Sequence, residues 1–144
     1  MKTPFFLFSV ERSRRSTEVN LRANQIAVMA LEKAGIPFKP VYGQWNGTSE
    51  VAFIVPANFR RTTAEPIEYV RRVVESLCSR FAQECYLEID RDRRAYQLTR
   101  VRASWIEKPI GQWRAITDTD RQRLIDEGES YTYDPETGIS YRAD

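Results

Sequence analysis

The pattern of apolar and polar positions predicts two amphipathic helices. In residues 67–81 the apolar positions recur at spacings of three and four, and charged residues fill the other face. That stripe consists of Ile67, Val70, Val74, Leu77 and Phe81. An earlier helix is predicted from about Thr17, with Ser16 or Thr17 as its cap, and Gly35 and Pro37 follow its last turn. Its stripe consists of Val19, Ala23, Ile26, Ala27, Ala30, Leu31 and Ala34.

Short apolar runs predict strands between these helices. The run VAFIV at residues 51–55 is β-branched and aromatic and ends at Pro56, which favours a buried strand. Residues 38–42 are predicted as its antiparallel partner, with residues 43–49 as a loop in which Asn46-Gly47 makes the reversal. Further strands are predicted at residues 5–10, 85–89 and 95–101, the last two as a hairpin.

The order of these elements predicts an α+β fold. It runs β-α-β-β-α-β with one extra strand, which indicates a ferredoxin-like two-layer sandwich with two helices on one face of an antiparallel sheet. With 144 residues, 42% of them apolar, the chain is predicted to be a single domain. Residues 1–102 form the predicted core. Residues 103–144 form a C-terminal extension, in which an irregular segment at 104–113 precedes a short helix at 117–127 and a small hairpin at 131–141.

Composition removes several classes of function. The chain has no histidine and only two cysteines, so neither a zinc site nor the commonest general base is available, and no metal or cofactor is expected. Cys78 and Cys85 lie on apolar faces of their predicted elements and are interpreted as buried free thiols rather than as a disulfide. The net charge is only +2. No run is long and apolar enough to span a membrane, and we expect a cytoplasmic protein without a membrane partner.

Polar residues at the ends of predicted elements form the first group of candidate site residues. In a sheet covered by helices they would meet at one edge, where a carboxylate and an aromatic ring beside glycine turns could bind a nucleotide-like ligand. The structural alternative is that the carboxylate accepts loop N–H groups and the amides cap helices. This group consists of Glu18, Asn20, Gly43, Trp45, Gly47, Glu50 and Gln83. Glu88 and Asp90, two apart on one strand, are interpreted as exposed strand residues.

Two further groups of residues are candidates for macromolecular contacts. Tryptophan and tyrosine dominate the hot spots of protein interfaces, which makes the aromatic residues of the extension candidates for binding a partner protein. They are Trp105, Trp113, Tyr131, Tyr133 and Tyr141. Arginine-rich loops are candidates for binding nucleic acid. Their members are Arg12, Arg14, Arg15, Arg60, Arg61, Arg91, Arg93 and Arg94.

Three short motifs carry a resemblance to a family. They are S-T-E-x-N-x-x-A-N in the first helix, P-V-x-G-x-W-x-G-x-x-E-x-x-F-I-V in the central hairpin and F-A-Q-E-x-x-L at the end of the second helix. In these motifs the chain resembles a family of uncharacterised small proteins found in bacteria and tailed phages. The resemblance covers about residues 5–90 and implies a phage or prophage accessory protein, without implying any activity.

The function expected from these observations is that of a non-enzymatic binding protein. Small size, the missing catalytic constellations and the aromatic extension favour a phage-derived factor that modulates or inhibits a host protein complex, for instance a defence system. Two alternatives stay open. One is a nucleic-acid-binding protein that uses the arginine-rich loops, and the other is a protein with a small-ligand or nucleotide pocket near Glu50. The oligomeric state is left undetermined.

Overall fold

A computed structural model describes residues 3–45, 47–57 and 66–144, and its strands form a closed antiparallel barrel. The strands are β1 (Phe5–Phe8), β2 (Lys39–Trp45), β3 (Thr48–Pro56), β4 (Cys85–Ile89), β5 (Arg94–Val101), β6 (Ser104–Ile116), β7 (Tyr131–Asp134) and β8 (Ile139–Ala143). The helices are α1 (Thr17–Ala34), α2 (Pro66–Arg80) and α3 (Asp118–Glu127). Around the barrel the strand order is β1-β3-β2-β7-β8-β6-β5-β4.

The predicted ends of α1 are confirmed. The side chain of Ser16 accepts a hydrogen bond from the N–H of Val19 and so caps the first turn. At the other end Gly35 adopts a left-handed conformation with φ 70°, and its N–H donates to the carbonyl of Glu32.

The central hairpin is longer than predicted. Strand pairing continues through the predicted loop, so that Gly43 lies opposite Glu50 and Trp45 lies opposite Thr48. Gly47 has φ 78°, the left-handed conformation that a tight hairpin turn requires. The turn therefore lies between Trp45 and Thr48, where Gly47 is described and Asn46 lies outside the described residues, and Glu50 belongs to a regular strand.

The predicted ferredoxin-like sandwich is wrong, because the C-terminal strands close the sheet into a barrel. Residues 104–113 were expected to be irregular, but they belong to β6, which pairs with β5 over most of its length and with β8 over residues 113–116. Strand β7 then pairs with both β8 and β2. The segment predicted as an extension supplies three strands of the barrel, so every described strand has a paired neighbour on both sides.

Alternating residues of the strands build two separate apolar clusters. On β1, Phe6 and Phe8 face outwards and pack under α1 and α2, whereas Leu7 faces into the barrel. The predicted stripe of α2 contributes Val70, Val74 and Leu77 to the outer cluster, where all three are buried. The inner cluster consists of Leu7, Val41, Ala52, Ile89, Ala95 and Trp113.

Two smaller expectations have mixed outcomes. Both cysteines are free thiols, as expected. Cys78 is buried, but the expected burial of Cys85 is wrong, because this residue is exposed. No helix among the described residues is long and apolar enough to cross a membrane.

Candidate functional site

The barrel contains a cavity of about 620 Å³ that opens to solvent. This volume lies within the range of pockets that hold small organic ligands. Its lining combines carboxylates with aromatic rings, and the aromatic residues include Trp45, Trp113, Tyr131 and Tyr141. A cavity with this lining suits a ligand that has a flat apolar part and a positive charge.

Glu50 is the carboxylate with the most perturbed ionisation in this cavity. Burial is the main cause that raises the pKa of Glu50 to about 7, and the nearby Glu11 carboxylate raises it further. A hydrogen bond with Ser9 acts in the opposite direction. This raised pKa keeps part of the Glu50 population protonated at neutral pH in the ligand-free protein, and a cation that entered the cavity would favour the ionised form.

Glu11 is a second carboxylate of the cavity, and other residues hold it in place. Its Oε2 atom accepts hydrogen bonds from Asn24 Nδ2 at 2.8 Å and from the N–H of Val51 at 3.0 Å. Its backbone carbonyl accepts from Gln83 Nε2 at 2.7 Å. The position of Glu11 relative to Glu50 is thus fixed by α1, by β3 and by the segment after α2.

Asn20 fixes the turn that connects β1 to α1. Its side-chain amide accepts a hydrogen bond from the N–H of Arg12 at 3.0 Å and donates one to the carbonyl of Arg12 at 2.9 Å. The N–H of Arg15 donates to the same carbonyl at 3.1 Å, which closes a β-turn over residues 12–15. Three hydrogen bonds therefore determine where this turn sits at the cavity.

The absence of a side chain at Gly43 makes room for the cavity wall. A Cβ atom on Gly43 would lie 2.3 Å from the carbonyl oxygen of Tyr131 and 2.8 Å from the Trp45 ring. Farther along the interior, the rings of Trp113 and Tyr141 stack with centroids 5.6 Å apart. Glycine at position 43 thus lets β7 approach β2 closely. It also leaves room for the Trp45 ring to lie against Gly43, which pairs with Glu50 on β3.

The structure brings together most of the polar group predicted as a pocket. Asn20 and Gln83 both bind the backbone of residues 11–12, beside the cavity that contains Glu50. Glu18 is different, because it lies exposed in the first turn of α1. Sequence reasoning missed Glu11, and it left Asn24, the last residue of the first family motif, out of the candidate group. A signal for both existed, since Glu11 follows the first apolar strand directly and Asn24 lies one helical turn after Asn20.

The aromatic residues predicted to bind a partner protein lie in different places. Trp113 is buried, and the three tyrosines at positions 131, 133 and 141 are half-buried. Tyr133 lies under the guanidinium of Arg121 at 5.2 Å. Trp105 packs against Tyr86 in the outer cluster, with ring centroids 5.1 Å apart. These residues do not share one exposed surface.

The predicted arginine loops lie at opposite ends of β1. Arg12 and Arg15 follow the strand, and their guanidinium groups donate to the carbonyls of Ala82 and Phe81. Arg93, near the start of the strand, donates to the carbonyl of Thr3 at 2.9 Å. The remaining candidates Arg14, Arg91 and Arg94 are exposed, whereas Arg60 and Arg61 lie outside the described residues.

Glu88 and Asp90 have structural partners. Glu88 was interpreted as exposed, but it is buried and pairs with Arg71 at 3.1 Å. Asp90 Oδ1 accepts the N–H groups of Asp92 and Arg94 in the turn between β4 and β5. Among the described residues no cluster of metal-binding side chains occurs.

We expect the ionisation of Glu50 to make the protein less stable as the pH rises. Folding raises its pKa from the ordinary 4.5 to about 7, so the folded state holds the proton more tightly and its advantage is lost as the pH rises through 7. Glu50→Gln should therefore melt at a temperature close to that of the unmodified protein at pH 4.5 and several degrees above it at pH 8. Glu18→Gln, which alters an exposed carboxylate, serves as the control in the same calorimetric scans. A Glu50→Gln variant that melts lower at pH 8 would show that the carboxylate holds the hairpin together.

Comparison with known proteins identifies a family. A family model described as "S-Adenosylmethionine lyase family" matches residues 6–144, which is nearly the whole chain. The search of curated proteins gave no match. The family match makes the expected non-enzymatic inhibitor of a host complex wrong, because the family is named for an enzymatic activity.

Proposed function

We propose that this chain, which belongs to the S-adenosylmethionine lyase family, binds S-adenosylmethionine in the Glu50 cavity and cleaves it there without water. The observation that carries the proposal is the position of the Glu50 carboxylate inside an aromatic-lined cavity of about 620 Å³. S-adenosylmethionine has a flat purine, a sulfonium cation and an amino-acid end. The aromatic rings can stack on the purine, and the carboxylates can offset the charge of the sulfonium.

The role proposed for Glu50 is that of counter-charge to the sulfonium. A cation that leaves water for a cavity of low dielectric constant loses hydration, and a carboxylate already present there offsets that cost. Trp45, whose side chain lies on the same wall, adds the attraction of an aromatic face for a cation. Glu11 supplies further negative charge from a fixed position.

The reaction that fits the cavity is the cleavage of the bond between sulfur and the γ-carbon of the methionine chain. The electron pair of that bond stays on sulfur, and the sulfonium becomes a neutral thioether, 5′-methylthioadenosine. The substrate's own carboxylate forms the new bond to the γ-carbon and closes a five-membered lactone. Ring closure releases no proton, so it needs no general base and proceeds in a chain without histidine.

The cavity favours this ring closure for two physical reasons. The reaction joins a carboxylate and a sulfonium into two uncharged groups, and a cavity that replaces part of their hydration with aromatic and apolar surface favours the loss of opposite charges. The barrel wall also restrains the flexible amino-acid end, so that its carboxylate stays close to the γ-carbon. Two free cysteines are consistent with a reducing compartment, and we propose the cytoplasm as the place of action.

The direct test is to incubate the purified chain with S-adenosylmethionine and identify the products by mass spectrometry. We expect 5′-methylthioadenosine and homoserine lactone in equal amounts, with no oxygen from ¹⁸O-labelled water in freshly formed lactone. Homoserine that contains ¹⁸O from the first time point would indicate hydrolysis, and vinylglycine would indicate proton abstraction. Either result would contradict the proposed reaction, and no turnover at all would contradict the proposed function.

The pH dependence of the activity should follow the ionisation of Glu50 in the free protein. Because the counter-charge exists only when Glu50 is ionised, kcat/KM should rise about tenfold per pH unit below pH 7 and level off above it. The check is a series of initial-rate measurements between pH 5 and pH 9. Glu50→Gln should have no such rise, because glutamine does not ionise. A profile that falls with increasing pH would contradict the role of the ionised carboxylate.

A further inference from the structure

The turn between β1 and α1 places at the cavity one arginine, Arg14, that pairs with none of the described residues. Ser13 and Arg14 occupy the corners of this turn, and both line the cavity. We propose that Arg14 binds the carboxylate of the substrate's amino-acid end and so selects S-adenosylmethionine over adenosine sulfur compounds that lack this group. The inference rests on the proposed function, since it assigns a residue to one part of that substrate.

The three arginines of the turn have different roles. Arg12 Nη1 donates to the carbonyl of Ala82 at 2.8 Å, and Arg15 donates to the carbonyls of Val10 and Phe81 at 3.3 and 2.7 Å. Both guanidinium groups thereby anchor the turn to its neighbours. Arg14 is exposed and has no hydrogen bond or ion pair with any residue that the structure describes.

The backbone position of Arg14 is set before any ligand arrives. Asn20 binds both backbone groups of Arg12, and the hydrogen bond from Arg15 to Arg12 closes the turn. A fixed backbone lowers the entropy that is lost when a side chain binds a ligand. A guanidinium pairs well with a carboxylate, and because each carboxylate oxygen has two lone pairs, the oxygen that attacks the γ-carbon keeps one of them free.

Arg142, which lines the cavity from β8, is less available to bind a ligand carboxylate. Arg142 lies 3.4 Å from the Asp144 carboxylate and 3.8 Å from that of Glu129. The charges of the lining therefore have two signs, with Glu50 and Glu11 negative and Arg14 positive. S-adenosylmethionine carries a sulfonium and, in its amino-acid end, a carboxylate beside an ammonium, so the sulfonium and the carboxylate can each have an oppositely charged partner.

The test compares two ligands that differ only in the carboxylate. S-adenosylhomocysteine and its decarboxylated counterpart have no sulfonium, so neither is cleaved while its dissociation constant is measured by calorimetry. We expect the unmodified protein to bind S-adenosylhomocysteine about tenfold more tightly than the decarboxylated compound. Arg14→Gln should bind both compounds equally, with the affinity that the unmodified protein has for the decarboxylated one. Its melting temperature should not change, because Arg14 is exposed.

Arg142→Gln is the matched control and should keep the tenfold preference, because Arg142 already has two acidic neighbours. If Arg142→Gln removes the preference, or if Arg14→Gln keeps it, the assignment to Arg14 is overturned. An unmodified protein that cleaves S-adenosylmethionine while Arg14→Gln keeps the preference would overturn this inference alone. An unmodified protein that neither cleaves S-adenosylmethionine nor binds either compound would overturn the proposed function together with it.

Discussion

Glu50→Gln should lower kcat/KM for S-adenosylmethionine by about 100-fold or more. Glutamine has nearly the same shape but no charge, so the sulfonium would enter the cavity without its counter-charge. Leaving one member of a buried ion pair alone costs about 3–5 kcal/mol, and the open end of the cavity reduces this cost. Because about 1.4 kcal/mol corresponds to a factor of ten, a loss of about 2.7 kcal/mol gives the expected 100-fold decrease.

The variant can be checked for correct folding independently of its activity. Its melting temperature at pH 8 should exceed that of the unmodified protein. The substitution removes from the folded state a desolvated negative charge that is repelled by Glu11. Glu18→Gln changes an exposed carboxylate on α1 and should retain full activity. A well-folded Glu50→Gln variant with unchanged kcat/KM would remove Glu50 from the site.

The secondary structure could be predicted from the sequence where the apolar period was regular. The stripe of α2, the cap of α1 and the span of β4 were each predicted, because local propensity determines such features. Strand β6 was missed, because Pro109 and Gly111 interrupt its pattern and most of residues 104–109 are exposed. Without that strand, closure of the barrel could not be predicted.

The candidate site could be predicted only in part for a similar reason. Asn20, Glu50 and Gln83 were recognised as polar residues at the ends of apolar elements, and they do lie near each other. Trp113 and Tyr141, which line the same cavity, belong to β6 and β8, and both strands were placed in a separate extension. Only the pairing between strands far apart in sequence brings these rings to the cavity, and no local pattern records such pairing.

Leu77→Ala should lower the free energy of unfolding by about 2–5 kcal/mol. Leu77 lies on α2 and is 4% exposed in the cluster between the helices and the outer face of the barrel. The truncation removes apolar contact and leaves a void that Val74 and Phe8, both already well packed, cannot fill without moving. The measurement is chemical denaturation followed by circular dichroism at one fixed pH.

Leu21→Ala is the control for this substitution, because Leu21 is 58% exposed on α1 and its truncation should change the free energy of unfolding by less than about 0.5 kcal/mol. The comparison tests whether α2 covers the outer face of the barrel. Helix α2 packs against β1, whose other face lines the cavity at Leu7, so a weakened helix contact should also increase the KM for S-adenosylmethionine modestly. A Leu77→Ala variant as stable as Leu21→Ala would show that α2 does not cover the barrel, and the outer cluster would have to be assigned to other residues.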